Sequence, residues 1–410
     1  MGWTGKQYRL VSTPIVVAVV TAVAAMGVGV AADVPAAAAT SSSSTTVLLP
    51  QDDPFYQPPT GFQRSAPGTI LRSRKVSATA YVLPVPANVY QMLIRTTDAL
   101  GNPVATVSTL FVPLTPASGP RNLMSYQIAI DSLGPACDPS YEMRTGSELD
   151  VTGELADLAF GWDTVITDFE GEDMEFAVGP MAGHAVLDGI RAAESLPQGG
   201  LATTSKVVAW GYSGGGQATA WAAQLQPSYA PGLQVVGYIA GDFPAQINTL
   251  LPSLNGGPFS GFVLAGAIGV MRAYPQLDSL LNAKGQALMG QIGQECQLTL
   301  VFSNAFENLN SFTTTDVFTS PAAKAVFAAD SLGAVPPSAP VLLQDGVLDE
   351  IIPSTQGEIL NQQWCNEGAQ IDFSLSYVPE HVVNDLAQIP SSLLWAEARF
   401  LGIPSTDTCS

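Results

Sequence analysis

The stretch KVVAWGYSGGGQATAWAA, residues 206–223, is the starting point for the fold prediction. It begins with the apolar run 207–210, which has the β-branched residues and the length of a buried parallel strand. A glycine-rich turn follows at 211–216, and the residues after it have helix-forming composition. Strand, Gly-x-Ser-x-Gly turn and helix together predict a nucleophile elbow with Ser213 exposed at its top. The alternative is an ordinary glycine-rich βα turn, since five-residue matches of this kind arise by chance.

Other segments place this elbow in a larger α/β arrangement. Strands are predicted over 90–95, 105–112, 122–130, 163–167, 234–240 and 339–344, and helices over 151–160 and 183–196. Strands that alternate with helices indicate an α/β-hydrolase fold with a mostly parallel central sheet. Residues 248–334 fit poorly as a βα unit and are predicted to form a helical cap inserted between core parts 69–247 and 335–410. Such a cap would stand over the carboxyl ends of the strands, although two extra packed helices without a role in the site are the alternative.

The first 39 residues have the composition of a secretory signal peptide. Lys6 and Arg9 form a positive region, residues 14–32 are apolar, and four alanines at 36–39 offer small-residue cleavage sites. The alternative is an uncleaved N-terminal anchor, because the apolar run is long for a signal peptide. Residues 40–68 are predicted to be a linker and an irregular segment, with ordered structure from residue 69. We therefore expect secretion, with association to the cell wall left open.

Composition limits the range of partners. The chain has 410 residues, of which 47% are hydrophobic and 12% charged, so it can bury a sizeable core. Its net charge of −20 argues against nucleic acids and anionic membranes, which attract Lys/Arg patches. An uncharged or apolar substrate fits this charge better, and we expect no obligate protein partner.

A serine nucleophile needs a base and an acid that orients the base. In hydrolases with this elbow the chain order is Ser, acid, His. Of the two histidines, His184 precedes the serine on a predicted helix, so His381 is the candidate base. Asp349 is the best candidate acid, because it follows the buried strand 339–344 in a loop. Its neighbours Asp345 and Glu350 are set aside, the first as too close to the strand and the second as pointing the other way.

Backbone amides and cysteines are the remaining candidates for oxyanion donors, disulfides and metal ligands. The backbone N–H groups of Gly214 and of Asp131, directly after strand 122–130, are candidate oxyanion donors. Four cysteines in an exported chain suggest two disulfides, with three possible pairings. The absence of a CxxC motif or a Cys/His cluster in the sequence argues against structural zinc, and no cofactor is expected.

The chain resembles the secretory lipase family from about Asp52 to Cys409. The elbow GYSGG lies in a set of further matching segments, which is far more specific than any single motif. They include DDPFY (52–56), SRKV (73–76), LDGIRA (187–192), LNGGPFSGFVLAG (254–266), DEIIP (349–353) and EH (380–381).

That resemblance implies the site in detail. The triad would be Ser213, Asp349 and His381, with the amides of Gly214 and Asp131 as oxyanion donors. Gly266 would lie in the wall of an acyl-binding tunnel in the cap, and Tyr212 is predicted to bind substrate. The implied disulfides are Cys137–Cys296 and Cys365–Cys409. The implied activity is hydrolysis of triacylglycerols and other carboxylic esters at a lipid–water interface, through an acyl-enzyme.

Three other functions remain as alternatives. A serine peptidase or an acyltransferase could use the same fold, although the apolar, glycine-rich insertion favours esters. A non-catalytic surface protein is the third. The family's yeast representative continues beyond the last cysteine as a flap over the site, whereas this sequence stops at Ser410. We therefore expect a more open site, with good activity on soluble short- to medium-chain esters.

Overall fold

The computed structural model describes residues 47–81 and 83–409 of the chain. Nine strands form one sheet in the order β1-β4-β5-β7-β6-β8-β9-β10-β11, and β2 pairs with β3 in a separate ribbon. The strands are β1 (Ile70–Val76), β2 (Thr79–Ala80), β3 (Leu83–Pro84), β4 (Ala87–Thr97), β5 (Pro103–Pro113), β6 (Leu123–Gln127), β7 (Asp163–Thr167), β8 (Val207–Tyr212), β9 (Val235–Gly241), β10 (Val341–Gly346) and β11 (Ile371–Ser376).

The sheet has an antiparallel and a parallel part. β1, β4 and β5 pair antiparallel, and β7 joins β5 antiparallel. From β7 through β6, β8, β9 and β10 to β11 all neighbours are parallel. Every residue of β6, β7, β8 and β10 is buried, as expected for strands covered by helices on both faces. The fold is thus the predicted α/β-hydrolase architecture.

The described helices follow the strands in alternation. They are α1 (Pro139–Thr145), α2 (Thr152–Phe160), α3 (Gly179–Ser195), α4 (Ser213–Tyr229), α5 (Ile247–Leu254), α6 (Ser260–Ala273), α7 (Ala283–Ile292), α8 (Gln297–Ser303), α9 (Pro321–Ala329), α10 (Thr355–Asn366) and α11 (His381–Phe400). No helix in the described part of the chain is long and apolar enough to cross a membrane. The predicted signal peptide (1–39) and the start of the linker (40–46) lie outside the described residues.

Most predicted core elements agree with the structure, strand β6 is shorter than predicted, and β1, β11, α1 and α10 were not predicted. β6 ends at Gln127 rather than at residue 130, because the chain leaves the sheet there and reaches a left-handed turn at Asp131 (φ 44°). β11 was not predicted, since it is an edge strand with exposed and half-exposed residues and no continuous apolar run.

The prediction that order begins at residue 69 is wrong. Asp53 is buried and forms an ion pair with Arg74, 2.7 Å from Nη1 to Oδ2, and a longer one with Arg144. The Arg74 guanidinium also lies over the ring of Phe55, 3.9 Å from its centroid. The Pro-rich composition gave no indication that this segment is ordered, because its order comes from contacts with residues distant in sequence and not from a repeating pattern.

Five helices, α5 to α9, occupy the interval between β9 and β10, where a single crossover helix would suffice. We call residues 247–329 the cap segment. A disulfide between Cys137 and Cys296 joins it to the segment after β6, and a second one, Cys365–Cys409, joins α10 to the C-terminal residues. These are the pairs that the family resemblance implies.

Candidate active site

The turn between β8 and α4 holds Ser213 in a constrained conformation. Ser213 is the first residue of α4 and has a left-handed backbone, with φ 54°. Such a conformation disfavours a residue with a Cβ and recurs where a functional side chain must be displayed. A Cβ on Gly215 would collide with the carbonyl oxygen of Gln127 on β6. The glycines of the motif therefore permit the close approach of helix and strand that produces the elbow.

Asp349 and His381 meet beside this elbow. Asp349 lies in the loop after β10, and its Oδ1 accepts hydrogen bonds from the N–H groups of Ile351 and Ile352, both at 2.8 Å. Its Oδ2 lies 2.5 Å from Nδ1 of His381. The Asp349 side chain is fully buried, so the carboxylate orients the imidazole within a low-dielectric environment.

His381 is the first residue of α11 and not a loop residue as predicted. Glu380 caps this helix, accepting a hydrogen bond from the N–H of Val383. Burial lowers the pKa of His381, but the hydrogen bond and charge of Asp349 outweigh it and the net pKa is raised. Glu350 was expected to point away, yet its Oε2 accepts a hydrogen bond from the backbone N–H of His381 at 3.2 Å. That prediction was wrong.

Asp242 is a buried carboxylate that the sequence analysis missed. It follows β9 with φ 36°, and its Oδ1 accepts from the N–H of Gly346 at 2.5 Å. Its Oδ2 accepts from Asn384 Nδ2 at 2.7 Å and from Gln388 Nε2 at 3.1 Å, both on α11. A carboxylate directly after a parallel strand was the signal that could have revealed it.

Tyr212 connects this carboxylate to the base. Its Oη lies 2.8 Å from Oδ2 of Asp242 and 2.8 Å from the carbonyl oxygen of His381, and its ring centroid is 5.0 Å from that of the imidazole. The hydroxyl is thereby used within the protein, and Tyr212 is not among the residues lining the cavity described below. The predicted substrate contact of Tyr212 stays a prediction, while the structure places its hydroxyl between the Asp242 carboxylate and the His381 carbonyl.

Ser213 directly follows Tyr212 in the chain, and the Tyr212 ring packs against His381, so the serine and the histidine lie in the same part of the site. No hydrogen bond between the Ser213 hydroxyl and the imidazole occurs among the described residues. Catalytic hydrogen bonds are often long without substrate, so this geometry is compatible with the predicted roles.

The other side of Ser213 is formed by Asp131 and Gly214. Asp131 has a left-handed backbone, and a Cβ on Gly214 would collide with its Oδ1. The two residues whose amides were predicted as oxyanion donors are therefore in contact. Burial raises the pKa of Asp131 to about 6, against the effect of the hydrogen bond from Gln297.

A cavity that is partly open to solvent begins at Ser213. Its polar side chains are those of Ser213, Asp131 and Gln217, and the rest of its lining is apolar apart from Gly214. The apolar members come from the segment before α3, the turn after β9, the cap segment and the Asp349 loop: Phe176, Ala177, Pro244, Ile247, Leu250, Leu251, Leu254, Phe262, Ile351 and Ile352. Such a lining suits a hydrocarbon chain.

Gly266 and His184 lie outside this lining. Gly266 is buried on α6, and a Cβ there would come within 3.5 Å of Ala177 Cβ, a residue of the cavity wall. It lies one helical turn after Phe262, which lines the cavity, so its predicted place in the acyl-binding wall stays a prediction. His184, on α3, packs against Tyr229 with ring centroids 4.2 Å apart. The described residues contain no group of three or more acidic, histidine or cysteine side chains arranged to hold a metal ion.

Comparison with known proteins identifies the family. The secretory lipase family matches residues 145–408, which contain Ser213, Asp349 and His381. The chain belongs to this family, and it is an enzyme of the lipase and esterase class. Its members named as secreted lipases, together with the two disulfides, indicate an extracellular protein.

Individual relatives cover most of the chain. A secreted triacylglycerol lipase of Malassezia globosa is 34% identical over 88% of this chain and 83% of that protein. Candida antarctica lipase A superposes with a TM-score of 0.83 and 33% identity, covering 88% of this chain and 89% of that one. A Mycobacterium tuberculosis protein described as a probable inactive lipase is 35% identical over 88% of this chain and 84% of that protein.

Proposed function

We propose that the chain is a secreted lipase or carboxylesterase that hydrolyses triacylglycerols and other carboxylic esters. The observation that carries this is the Asp349–His381 hydrogen bond of 2.5 Å beside an elbow serine that opens into an apolar cavity. Apolar walls favour an ester with a hydrocarbon acyl chain over a peptide. The cap segment, which starts one residue before the predicted 248–334, supplies much of that wall.

The mechanism proceeds through an acyl-enzyme. The Ser213 hydroxyl attacks the ester carbonyl while Nε2 of His381 takes its proton, and Asp349 stabilises the resulting imidazolium. The amides of Gly214 and Asp131 donate hydrogen bonds to the oxyanion, each such donor contributing about 3 kcal/mol. His381 returns the proton to the leaving alcohol, and water then attacks the acyl-enzyme with His381 again as base.

Active-site labelling tests this proposal directly. A fluorophosphonate probe should modify wild-type protein at Ser213 and should fail to modify Ser213→Ala, which should also lose hydrolysis of p-nitrophenyl esters. Absence of labelling in folded wild-type protein would favour a non-catalytic role like that in the name of the mycobacterial relative. A panel of matched ester and peptide substrates separates the esterase from a peptidase.

We also propose that residues 1–39 are a cleaved signal peptide. N-terminal sequencing of the protein recovered from culture medium should begin near residue 40. Recovery of the intact N-terminus in a membrane or cell-wall fraction would instead indicate a retained anchor.

A further inference from the structure

The Asp131 carboxyl group lies directly at the reaction centre. It lines the same cavity as the Ser213 hydroxyl, and its Oδ1 occupies the space where a Cβ on Gly214 would lie. Asp131 is buried, with a relative exposure of only 3%. No donor among the described residues reaches Oδ1, so this atom is free to interact with a substrate.

The other carboxyl oxygen is held by the cap segment. Gln297, the first residue of α8, donates a hydrogen bond from Nε2 to Oδ2 of Asp131 at 3.0 Å. Its own N–H donates to Ser132 Oγ at 3.0 Å, and the adjacent Cys296 is disulfide-bonded to Cys137. Because Oδ2 is held in this way, Oδ1 has a defined direction.

The charge around Asp131 decides which form of the carboxyl can help catalysis. The titratable groups that face it are Asp150 and Glu170, both acids, and His381. An ionised Asp131 would repel a developing oxyanion, whereas a protonated carboxyl can donate a hydrogen bond to it. Burial is the main cause that favours the protonated form, and the charge of Asp150 adds to it, whereas the Gln297 hydrogen bond and a protonated His381 oppose it.

We propose that the protonated Asp131 carboxyl, oriented by Gln297, donates a hydrogen bond from Oδ1 to the oxyanion, as a third donor beside the two amides. This inference rests on the proposed esterase function. As the bond from Ser213 Oγ to the carbonyl carbon forms, the carbonyl π electrons move to oxygen and the serine proton moves to His381. Asp131 keeps its proton throughout.

Activity then depends on how one proton is shared between Asp131 and His381. Asp131 must carry a proton and His381 must not, and burial raises the pKa of Asp131 to about 6. The pair therefore titrates together, and activity falls both when the pair gains a second proton and when it loses the first.

The test compares pH profiles of wild type and Asp131→Asn, an isosteric variant that tolerates the left-handed backbone and still has N–H donors. Wild-type kcat/KM for a soluble ester should be bell-shaped, with an alkaline fall of about tenfold per pH unit. The variant should lose the alkaline fall. Its acidic limb should stay in place or move to higher pH, since it then reports the loss of a proton from His381 alone, beside a neutral side chain. An unchanged bell would overturn the proposal.

Fluorophosphonate titration of active sites normalises both proteins and separates the two proposals. If wild type is neither labelled nor active, the esterase function fails. If wild type is labelled and active but Asp131→Asn has the same profile, only the role of the carboxyl fails.

Gln297→Leu provides a second readout through the positioning residue. Loss of its hydrogen bond should raise the pKa of Asp131 and move the alkaline limb to higher pH, with a lower kcat. Gln291→Leu, an exposed glutamine on α7 of the same cap segment, is the matched control and should match wild type. Equal profiles for both variants would contradict the positioning role.

Discussion

The buried carboxyl groups on the two sides of Ser213 differ in how many hydrogen bonds they accept. On the base side, Asp349 and Asp242 accept several hydrogen bonds each, from backbone N–H groups and from neighbouring side chains. On the oxyanion side, Asp131 has an oxygen that no described donor reaches. Donors stabilise the charged form and their absence favours the protonated form. Burial nevertheless raises the pKa of Asp242 to about 6, as it does that of Asp131, so each side of the site holds a carboxyl group that responds to pH.

The same contrast extends beyond the cavity. Asp138 is buried beside Asp168, and burial, followed by the charge of that neighbour, raises its pKa well above the ordinary value. Burial also raises the pKa of Asp168 to about 7. A chain with a net charge of −20 can bury such groups because protonation removes their charge at acidic pH.

The largest effect should come from the base itself. His381→Ala should lower kcat for ester hydrolysis by roughly 10⁴-fold or more, because the imidazole acts as a unit with Ser213 and Asp349. His184→Ala should retain nearly full activity, since that ring packs against Tyr229. Steady-state kinetics on p-nitrophenyl esters compares them. Equal losses in the two variants would reverse the assignment of the base.

A smaller effect should follow from the support behind the base. Asp242→Asn and Tyr212→Phe should each lower kcat by roughly 10- to 100-fold with little change in KM, because a small displacement of the imidazole disturbs attack. Their pH profiles should differ. Asp242→Asn removes a charge that raises the pKa of His381, so its acidic limb should move to lower pH.

Tyr212→Phe is the matched control for that shift, because it removes the hydroxyl and keeps the Asp242 charge. Its acidic limb should stay close to that of wild type. A KM increase in Tyr212→Phe with unchanged kcat would instead support the substrate contact predicted from the sequence.

The smallest effect should appear in stability against pH. A carboxyl whose pKa is raised on folding gives stability that is present below its unfolded pKa, near 4, and is lost as pH rises toward the folded value. Asp138→Asn should therefore flatten the loss of stability above pH 4, by at most about 1.4 kcal/mol per pH unit. Urea unfolding with intact disulfides at pH 2 to 8 measures this slope.

Asp53→Asn is the control of opposite sign. Burial alone would raise the pKa of Asp53, but the N–H of Phe55 and the Arg74 side chain lower it. Its stabilising effect is present above the unfolded pKa and is lost as pH falls, so the variant should weaken the protein most near neutral pH. If both variants changed the slope in the same direction, the contrast between partnered and unpartnered carboxyls would be wrong.

Much of the architecture could be predicted from local pattern. β7 was predicted at its observed bounds, and helix α2 within one residue, because buried runs and helical spacing are properties of short segments. Edge strand β11 and the segment around Asp53 could not be predicted in this way, since their order comes from pairing with residues distant in sequence.

For the candidate site, too, some residues could be predicted from the sequence and some contacts could not. Chain order and the presence of only two histidines were enough to nominate Ser213, Asp349 and His381, because the elbow motif restricts where the partners can occur. The contacts of Tyr212 with Asp242 and of Asp131 with Gln297 emerged only after folding. Each joins segments 30 to 166 residues apart, and no local pattern records burial or the direction of a hydrogen bond across such a distance. Residue types thus nominated the candidate reacting groups, whereas three-dimensional packing set the environment of the carboxyl groups around them.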